Sequence, residues 1–129
     1  MPSYCCLFKD RFEVIALSEL SEEFIQKIPA LDFLQLHAKP GQYCGTAKGF
    51  YSVFKRYAEG GRSKLTAALF HEVDKSEKIW EFVKGDLRIF CFLSGEKAVL
   101  THGAIKKSQK VDSQEVARAV TAKNLFLKN

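Results

Sequence analysis

The chain has 129 residues, of which 47% are hydrophobic and 27% are charged, and its net charge is +5 at pH 7. These values predict a globular protein, and the length suits a single domain spanning residues 1–129. No apolar run approaches the roughly 20 residues that span a bilayer, and the amino terminus lacks the basic and apolar regions of a secretory signal. We therefore expect a cytoplasmic protein that does not associate with membranes.

The excess of positive charge lies late in the chain. Residues 1–77 contain 10 cations and 10 carboxylates, whereas residues 78–129 contain 10 and 5. Because a local basic excess attracts polyanions, the second segment favours nucleic acid or an acidic protein as a partner. A solvated charged face is the alternative.

The four cysteines have poor spacing for disulfides or a zinc site. Cys5 and Cys6 are adjacent, and Cys91 lies inside an apolar segment. We expect reduced thiols, and the absence of a glycine-rich phosphate loop or a histidine-acid metal motif predicts no cofactor.

The first residues predict one strand and one short helix. Residues 12–17 form an apolar run typical of a strand. Ser18 or Ser21 would cap a helix over the residues that follow. Pro29 would end or redirect this helix.

A second helical segment is predicted near the middle of the chain. Residues 30–49 show no regular periodicity apart from a turn at residues 39–41. Apolar side chains then recur at helical spacing over residues 50–57, which predicts an amphipathic helix with an aromatic stripe in the core. Gly60 and Gly61 would cap its end.

The remaining residues predict antiparallel strands and a terminal helix. The strands are residues 68–73, 79–83, 87–93 and 97–105. The third is apolar on both faces, with Arg88 as its only charge, so we expect it to be central and covered on both sides. A capping box at residues 112–115 begins the last helix. This order predicts an α+β fold with an antiparallel sheet of about four to five strands, two N-terminal helical segments and a C-terminal helix.

Several segments of the second half resemble the RelE/ParE toxin superfamily. They are Ile79-Trp-Glu-Phe-Val-Lys-Gly-Asp-Leu-Arg-Ile-Phe90, Val99-Leu-Thr-His-Gly103, Lys106-Lys-Ser-Gln-Lys110 and Ser113-Gln-Glu-Val-Ala-Arg-Ala119. The pattern is most similar to the HigB-like, phage-derived branch of toxin–antitoxin toxins. The resemblance implies a RelE-like fold and a toxin that a cognate antitoxin neutralises, in a toxin–antitoxin hetero-oligomer.

The superfamily contains two modes of action. Its RelE-like members cleave mRNA in the ribosomal A site, whereas its ParE-like members inhibit DNA gyrase without chemistry of their own. A shared fold cannot decide between these modes. We expect a ribosome-dependent mRNA endonuclease that inhibits translation, with mRNA and the ribosome as partners. The alternatives are a ParE-like toxin that binds a protein such as gyrase and an inactive phage-derived relic.

Metal-free cleavage of RNA needs a base for the 2′-hydroxyl, cations for the developing phosphate charge and an acid for the 5′-oxygen. Arg88 matches the strand arginine of the family, and a guanidinium can hold a phosphate through two hydrogen bonds. A structural salt bridge of Arg88 with Glu81 or Glu96 is the alternative.

Four lysines are further candidates. Lys106, Lys107 and Lys110 match the lysine cluster of the family; the resemblance implies a catalytic role for Lys106 and RNA binding for the other two. Lys84, in the turn before the Arg88 strand, is a further candidate phosphate contact. Solvated surface lysines are the alternative for each.

Histidine titrates near neutral pH, so His71 and His102 are the candidates for proton transfer. His102 lies at the His-Gly position of the family. A two-residue turn at residues 94–95 would pair Arg88 with Thr101 and leave His102 on the other face of the sheet. A loop longer by one residue would pair Arg88 with His102 instead.

The sequence departs from the family pattern in two places. Ala104 stands where the family has phenylalanine after His-Gly. RNA-cleaving members often have a tyrosine or histidine near the C-terminus, whereas the four tyrosines of this chain all lie in its first half. The second departure favours the binding-toxin alternative.

Overall fold

The structure, a computed structural model, describes residues 4–20, 26–106 and 113–128. Its strands are β1 (Tyr4–Lys9), β2 (Glu13–Leu17), β3 (Glu19–Leu20), β4 (Gln26–Lys27), β5 (Phe70–Asp74), β6 (Ile79–Lys84), β7 (Leu87–Ser94) and β8 (Lys97–Ile105). Its helices are α1 (Pro29–Ala38), α2 (Cys44–Gly60) and α3 (Ser113–Lys128), and a 3-10 turn at Gly61–Lys64 follows α2.

Six of the strands form one sheet in the order β1-β2-β8-β7-β6-β5. Neighbouring strands within this sheet are antiparallel, except that β2 and β8 are parallel. Strands β3 and β4 form a separate antiparallel pair. The predicted α+β class with a C-terminal helix is confirmed, although the sheet has six strands instead of four to five, because β1 was not predicted.

The sheet has a hydrophobic core on each face. Helices α1 and α2 pack on one face, where the buried side chains include Phe50, Phe54 and Phe82. Helix α3 packs on the other face through Val116 and Ala119. Alternation along β7 sends Leu87, Ile89 and Cys91 into the first core and Phe90 and Phe92 into the second. The prediction of a central strand covered on both sides is therefore confirmed.

The predicted helix before Pro29 is wrong at both described ends, because residues 19–20 and 26–27 are strands. Pro29 begins a helix instead of ending one. A proline suits the first turn of a helix, where its missing N–H would have no partner in any case. Residues 21–25, which the prediction also included, lie outside the described part of the chain.

The region predicted to be irregular, residues 30–49, contains α1 and the first part of α2. The chain bends at residues 39–41, between these helices, and the turn itself is formed by residues 42–43, slightly later than predicted. Helix α2 starts before the predicted residue 50 because packing outweighs the cost of two glycines, each about 1 kcal/mol relative to alanine. Gly61 caps α2 with a positive φ of 68° and donates its N–H to the carbonyl of Tyr57, as predicted.

All four cysteines are free thiols, as predicted. Burial, and secondarily the charge of Glu81, raises the pKa of Cys91, which keeps this buried thiol protonated and unreactive. None of the helices in the described ranges combines the length and the apolar character needed to cross a membrane.

Candidate active site on the sheet

Arg88 lies on the face of β7 that carries α3. It is the second residue of this strand and closely follows the Gly85–Asp86 turn. Its Nη1 donates hydrogen bonds to the carbonyl oxygens of Gly85 at 2.7 Å and Leu87 at 3.0 Å. Its Nε is 3.6 Å from Oε1 of Glu81, and 15% of its side chain is exposed. A guanidinium has five N–H donors, and the two N–H groups of Nη2 take no part in these contacts.

Glu81 joins Arg88 to a histidine on the neighbouring strand. It is 3% exposed and lies directly opposite His71 in the pairing of β5 with β6. Oε1 of Glu81 is 2.9 Å from Nε2 of His71, whose side chain is 42% exposed. The structure therefore brings together His71, Glu81 and Arg88 on three consecutive strands.

Each ring nitrogen of His71 contacts an oxygen atom. Its Nδ1 is 2.8 Å from the carbonyl oxygen of Ala67, which can only accept, so Nδ1 carries a proton. Its Nε2 lies within hydrogen-bonding distance of Oε1 of Glu81, at 2.9 Å. The structure thus places a histidine and a carboxylate in contact beside a guanidinium, at a side chain that solvent reaches.

His102 does not join this group. It is 1% exposed, lies opposite Phe90 and stacks on its ring with centroids 5.0 Å apart. Burial, and secondarily the positive charge of Arg118, lowers the pKa of His102 to about 4, although Oε1 of Glu115 lies 3.6 Å from Nε2. The imidazole is therefore neutral at pH 7, and its burial does not suit proton exchange with a substrate.

Neither predicted register of Arg88 is correct, because Arg88 lies opposite Ala104. The turn is a two-residue one at Gly95–Glu96, and an extra residue, Thr101, then interrupts the pairing between β7 and β8. This bulge shifts the register by one, which puts His102 on the same face as Arg88 but farther along the strand. The hydroxyl of Thr101 donates to the carbonyl oxygen of Phe90 at 3.2 Å.

The two candidate lysines that the structure describes, Lys84 and Lys106, lie on different parts of the sheet. Lys106 follows β8 at the Arg88 end of the sheet, where its N–H donates to the carbonyl of Asp86 at 2.7 Å. Lys84 points to the opposite face, because it pairs with Leu87, whose side chain belongs to the core under α2. Lys107 and Lys110 lie outside the described residues.

Glu81 is the site residue that sequence reasoning valued too little, since it was considered only as a partner of Arg88. The predicted hairpin of β5 and β6 could have revealed it. If these two strands are paired so that His71 lies opposite Glu81, a carboxylate is expected next to a histidine. No cluster of three or more potential metal ligands among His, Cys, Asp and Glu occurs within residues 4–20, 26–106 and 113–128.

Comparison with known protein families finds a match that covers β5 to β8 and most of α3. The sequence profile described as phage-derived protein Gp49-like (DUF891) matches residues 44–124, which is more than half of the chain. The chain belongs to the Gp49-like family. This family is a phage-derived, toxin-like one within the RelE group, which agrees with the observed fold and indicates a toxin-like role for the chain. No curated protein matches the chain.

The matched range has a structural meaning in this Gp49-like protein. It begins at the first residue of α2 and includes β5 to β8 and most of α3. His71, Glu81, Arg88 and His102 all lie within it. Strands β1 to β4 and helix α1 lie before it.

Proposed function

We propose that this Gp49-like protein is a HigB-like toxin that cleaves mRNA on the ribosome and so inhibits translation. The observation that supports this most strongly is the contact of His71 with Glu81 beside Arg88. It places a histidine and a carboxylate, which can exchange a proton with a substrate, beside a positive charge, and metal-free cleavage of RNA uses both proton transfer and cationic stabilisation.

The reaction needs two proton transfers around one phosphate. The 2′-hydroxyl loses its proton as its oxygen attacks phosphorus, and the bond from phosphorus to the 5′-oxygen breaks as that oxygen gains a proton. The products are a 2′,3′-cyclic phosphate and a 5′-hydroxyl. The His71–Glu81 pair accepts or delivers one of these protons and solvent water exchanges the other, while Arg88 stabilises the negative charge on the phosphate oxygens in between.

The lysines at and after the end of β8 would hold the RNA backbone. Lys106 lies at the same end of the sheet as Arg88, and Lys107 and Lys110 follow it in the chain. We assign RNA binding to the last two and a charge-stabilising role to Lys106. Their positive charge also suits an acidic segment of a cognate antitoxin, which would cover the site in a cytoplasmic complex.

A ParE-like toxin that binds a protein target without chemistry is the second candidate. Two observations favour it: His102 is buried and neutral, and Nη1 of Arg88 is bonded to two backbone carbonyls. Supercoiling of relaxed plasmid by purified gyrase separates the candidates, because a gyrase-binding toxin inhibits this reaction and an mRNA endonuclease does not.

Induced expression in bacteria tests the endonuclease, with growth and the 5′ ends of transcripts as readouts. We expect growth arrest and new 5′ ends inside translated codons for the native chain. Arg88→Ala should abolish both, and His71→Gln should lower cleavage by about 10²-fold, which is the usual contribution of a general acid or base. His37→Gln is the matched control, since His37 lies on α1 and contacts Phe33 and Tyr43.

Each other outcome contradicts a particular part of the proposal. Growth arrest with intact transcripts would favour the binding toxin. No arrest at all would favour an inactive relic. Unchanged cleavage in both Arg88→Lys and His71→Gln, with both variants folded, would remove the proposed site from the reaction.

A further inference from the structure

The outer face of α2 carries a second basic surface. Between Asp32 and Glu72 the chain has six cations and one carboxylate, Glu59. The equal charge totals of residues 1–77 conceal this segment, because carboxylates earlier and later in the sequence balance it. We define the α2 surface as the cations of α2 and its 3-10 turn together with one from β6: Lys48, Lys55, Arg56, Arg62, Lys64 and Lys84.

Five of these cations are exposed, and Lys84 is half-buried. Lys48 and Lys55 lie seven residues apart on the same side of α2, a distance of about 10.5 Å along the helix axis. Among the described residues, no ion pair joins Lys48, Lys55 or Arg56 to a carboxylate. Their charge is therefore available to a partner.

The other three cations are held in place by the fold. The side chain of Lys84 lies across Gly49, where a Cβ would overlap its Cε. The side chain of Lys64 lies across Gly60 in the same way. The guanidinium of Arg62 is 4.9 Å from the ring centroid of Trp80. Cations that are already ordered lose less conformational entropy when a partner binds.

The α2 surface is separate from the candidate active site. Trp80 and Phe82 belong to the core under α2, whereas Glu81 and Arg88 lie on the face that carries α3. The sheet therefore stands between the two basic regions. A ligand held at Arg88 does not account for the charge on α2.

The composition of the surface indicates the class of partner. The large hydrophobic side chains exposed among the described residues are Tyr4, Leu36, Leu125 and Leu127, and none of them lies on α2 or its 3-10 turn. Protein interfaces have an apolar core that is depleted in lysine, whereas interfaces with nucleic acids are polar and strongly positive. The α2 surface fits the second description.

The aromatic residues of α2 restrict the kind of nucleic acid. Phe50, Phe54 and Tyr57 are buried, and Tyr51 is half-buried against Phe54. Proteins that bind single strands stack exposed bases on aromatic side chains, while proteins that bind duplexes contact phosphates and read shape. We propose that the α2 surface binds the phosphate backbone of a double-helical nucleic acid. Both duplex RNA and duplex DNA offer this chemistry.

Titration of purified protein into labelled 20-base-pair RNA and DNA duplexes, at several salt concentrations, tests the proposal. We expect the native chain to bind duplex more tightly than a single strand of the same length. In Lys48→Gln/Lys55→Gln, affinity should fall at least tenfold, and the slope of log K against log salt should fall by about 1.8, because two phosphate contacts are lost. The matched control is Lys75→Gln/Lys128→Gln, which removes the same charge from exposed positions elsewhere.

The result decides both the surface and the ligand. Native affinity in the α2 variant, an equal loss in the control, or tighter binding of the single strand would each overturn the proposal. Tighter binding of duplex RNA than of duplex DNA would identify RNA as the source of the backbone, and the reverse would identify DNA. The assay contains no ribosome and reads no cleavage, so its outcome is independent of the proposed endonuclease. Circular dichroism confirms the fold of each variant, and the charge reversal Lys55→Glu provides a second test.

Discussion

The contacts of Arg88 give it a structural role and leave room for the chemical role that we propose for it. Its Nη1 holds the carbonyls of Gly85 and Leu87, and its Nε faces the buried carboxylate of Glu81. The salt-bridge interpretation and the phosphate-binding interpretation from the sequence are therefore not exclusive. A loss of toxicity in Arg88→Ala has meaning only if the folded fraction of the variant is known.

We predict that Arg88→Ala lowers the free energy of unfolding by about 2–3 kcal/mol, since it removes hydrogen bonds from a charged donor and leaves Glu81 with His71 alone. Arg88→Lys retains the charge near Glu81 and should lose less. Urea unfolding followed by circular dichroism measures both variants. A change below about 0.5 kcal/mol in Arg88→Ala, the range of an ordinary surface substitution, would show that these contacts do not stabilise the fold.

The bulge at Thr101 is the feature of β8 that sequence patterns could not reveal. Thr101 donates its hydroxyl proton to the carbonyl of Phe90 and lies 3.0 Å from Nδ1 of His102. A hydroxyl has one proton, so the oxygen accepts from Nδ1–H of His102 while it donates to Phe90. The Thr101 hydroxyl is therefore a hydrogen-bond partner of both the Phe90 carbonyl and the His102 imidazole.

We predict that Thr101→Val, which keeps the shape but removes the hydroxyl, lowers the free energy of unfolding by about 1–3 kcal/mol because buried polar atoms lose their partner. Thr121→Val is the matched control, since Thr121 is exposed on α3 and bonds only to the carbonyl of Ala117. The control should change stability by less than about 0.5 kcal/mol. Equal effects in thermal or urea unfolding would contradict the assigned role of the bulge.

Helices and strands with a regular hydrophobic periodicity could be predicted from the sequence. The pairing of strands that are distant in the chain could not. Strands β6, β7 and β8 and the capped end of α2 follow from alternation, turn residues and Gly61. Helix α1 was missed because Pro29 was interpreted as an end signal, although proline also begins helices. The parallel pairing of β2 with β8 joins residues that are far apart in the chain, and no local pattern encodes it.

The candidate site shows the same division. Arg88 and His71 were identified from their residue types and from resemblance, but the pairing of His71 with Glu81 depends on the register between two strands. The displacement of His102 toward α3 depends on one inserted residue. A register change of one residue moves a side chain to the other face of a sheet, so site geometry is less predictable than element positions.

At the scale of the whole molecule, the sheet separates two basic regions. The α3 face contains Arg88 with the His71–Glu81 pair and the buried His102, and the α2 face carries the cations proposed to bind a duplex. The assignment of residues 1–129 to one domain remains a prediction. It requires one cooperative unfolding transition, seen at the same midpoint by circular dichroism and by the fluorescence of Trp80.

We predict that acid destabilises this folded unit through His102. Its pKa is about 4 in the folded chain and about 6.5 in an unfolded one, so the unfolded state binds the proton more readily. The stabilising effect of the neutral imidazole is fully present above about pH 6.5 and is lost as the pH falls toward 4. Between pH 7.5 and pH 5 the free energy of unfolding should fall by about 2 kcal/mol from this group.

The variant His102→Phe isolates this contribution, because phenylalanine keeps a ring against Phe90 and cannot be protonated. Urea unfolding of both proteins at pH 7.5 and pH 5 gives the comparison. The native chain should lose about 2 kcal/mol more than His102→Phe over this interval. An equal pH dependence in the two proteins would mean that the nearby Glu115 balances the proton on His102, and that Arg118 and burial do not control the titration.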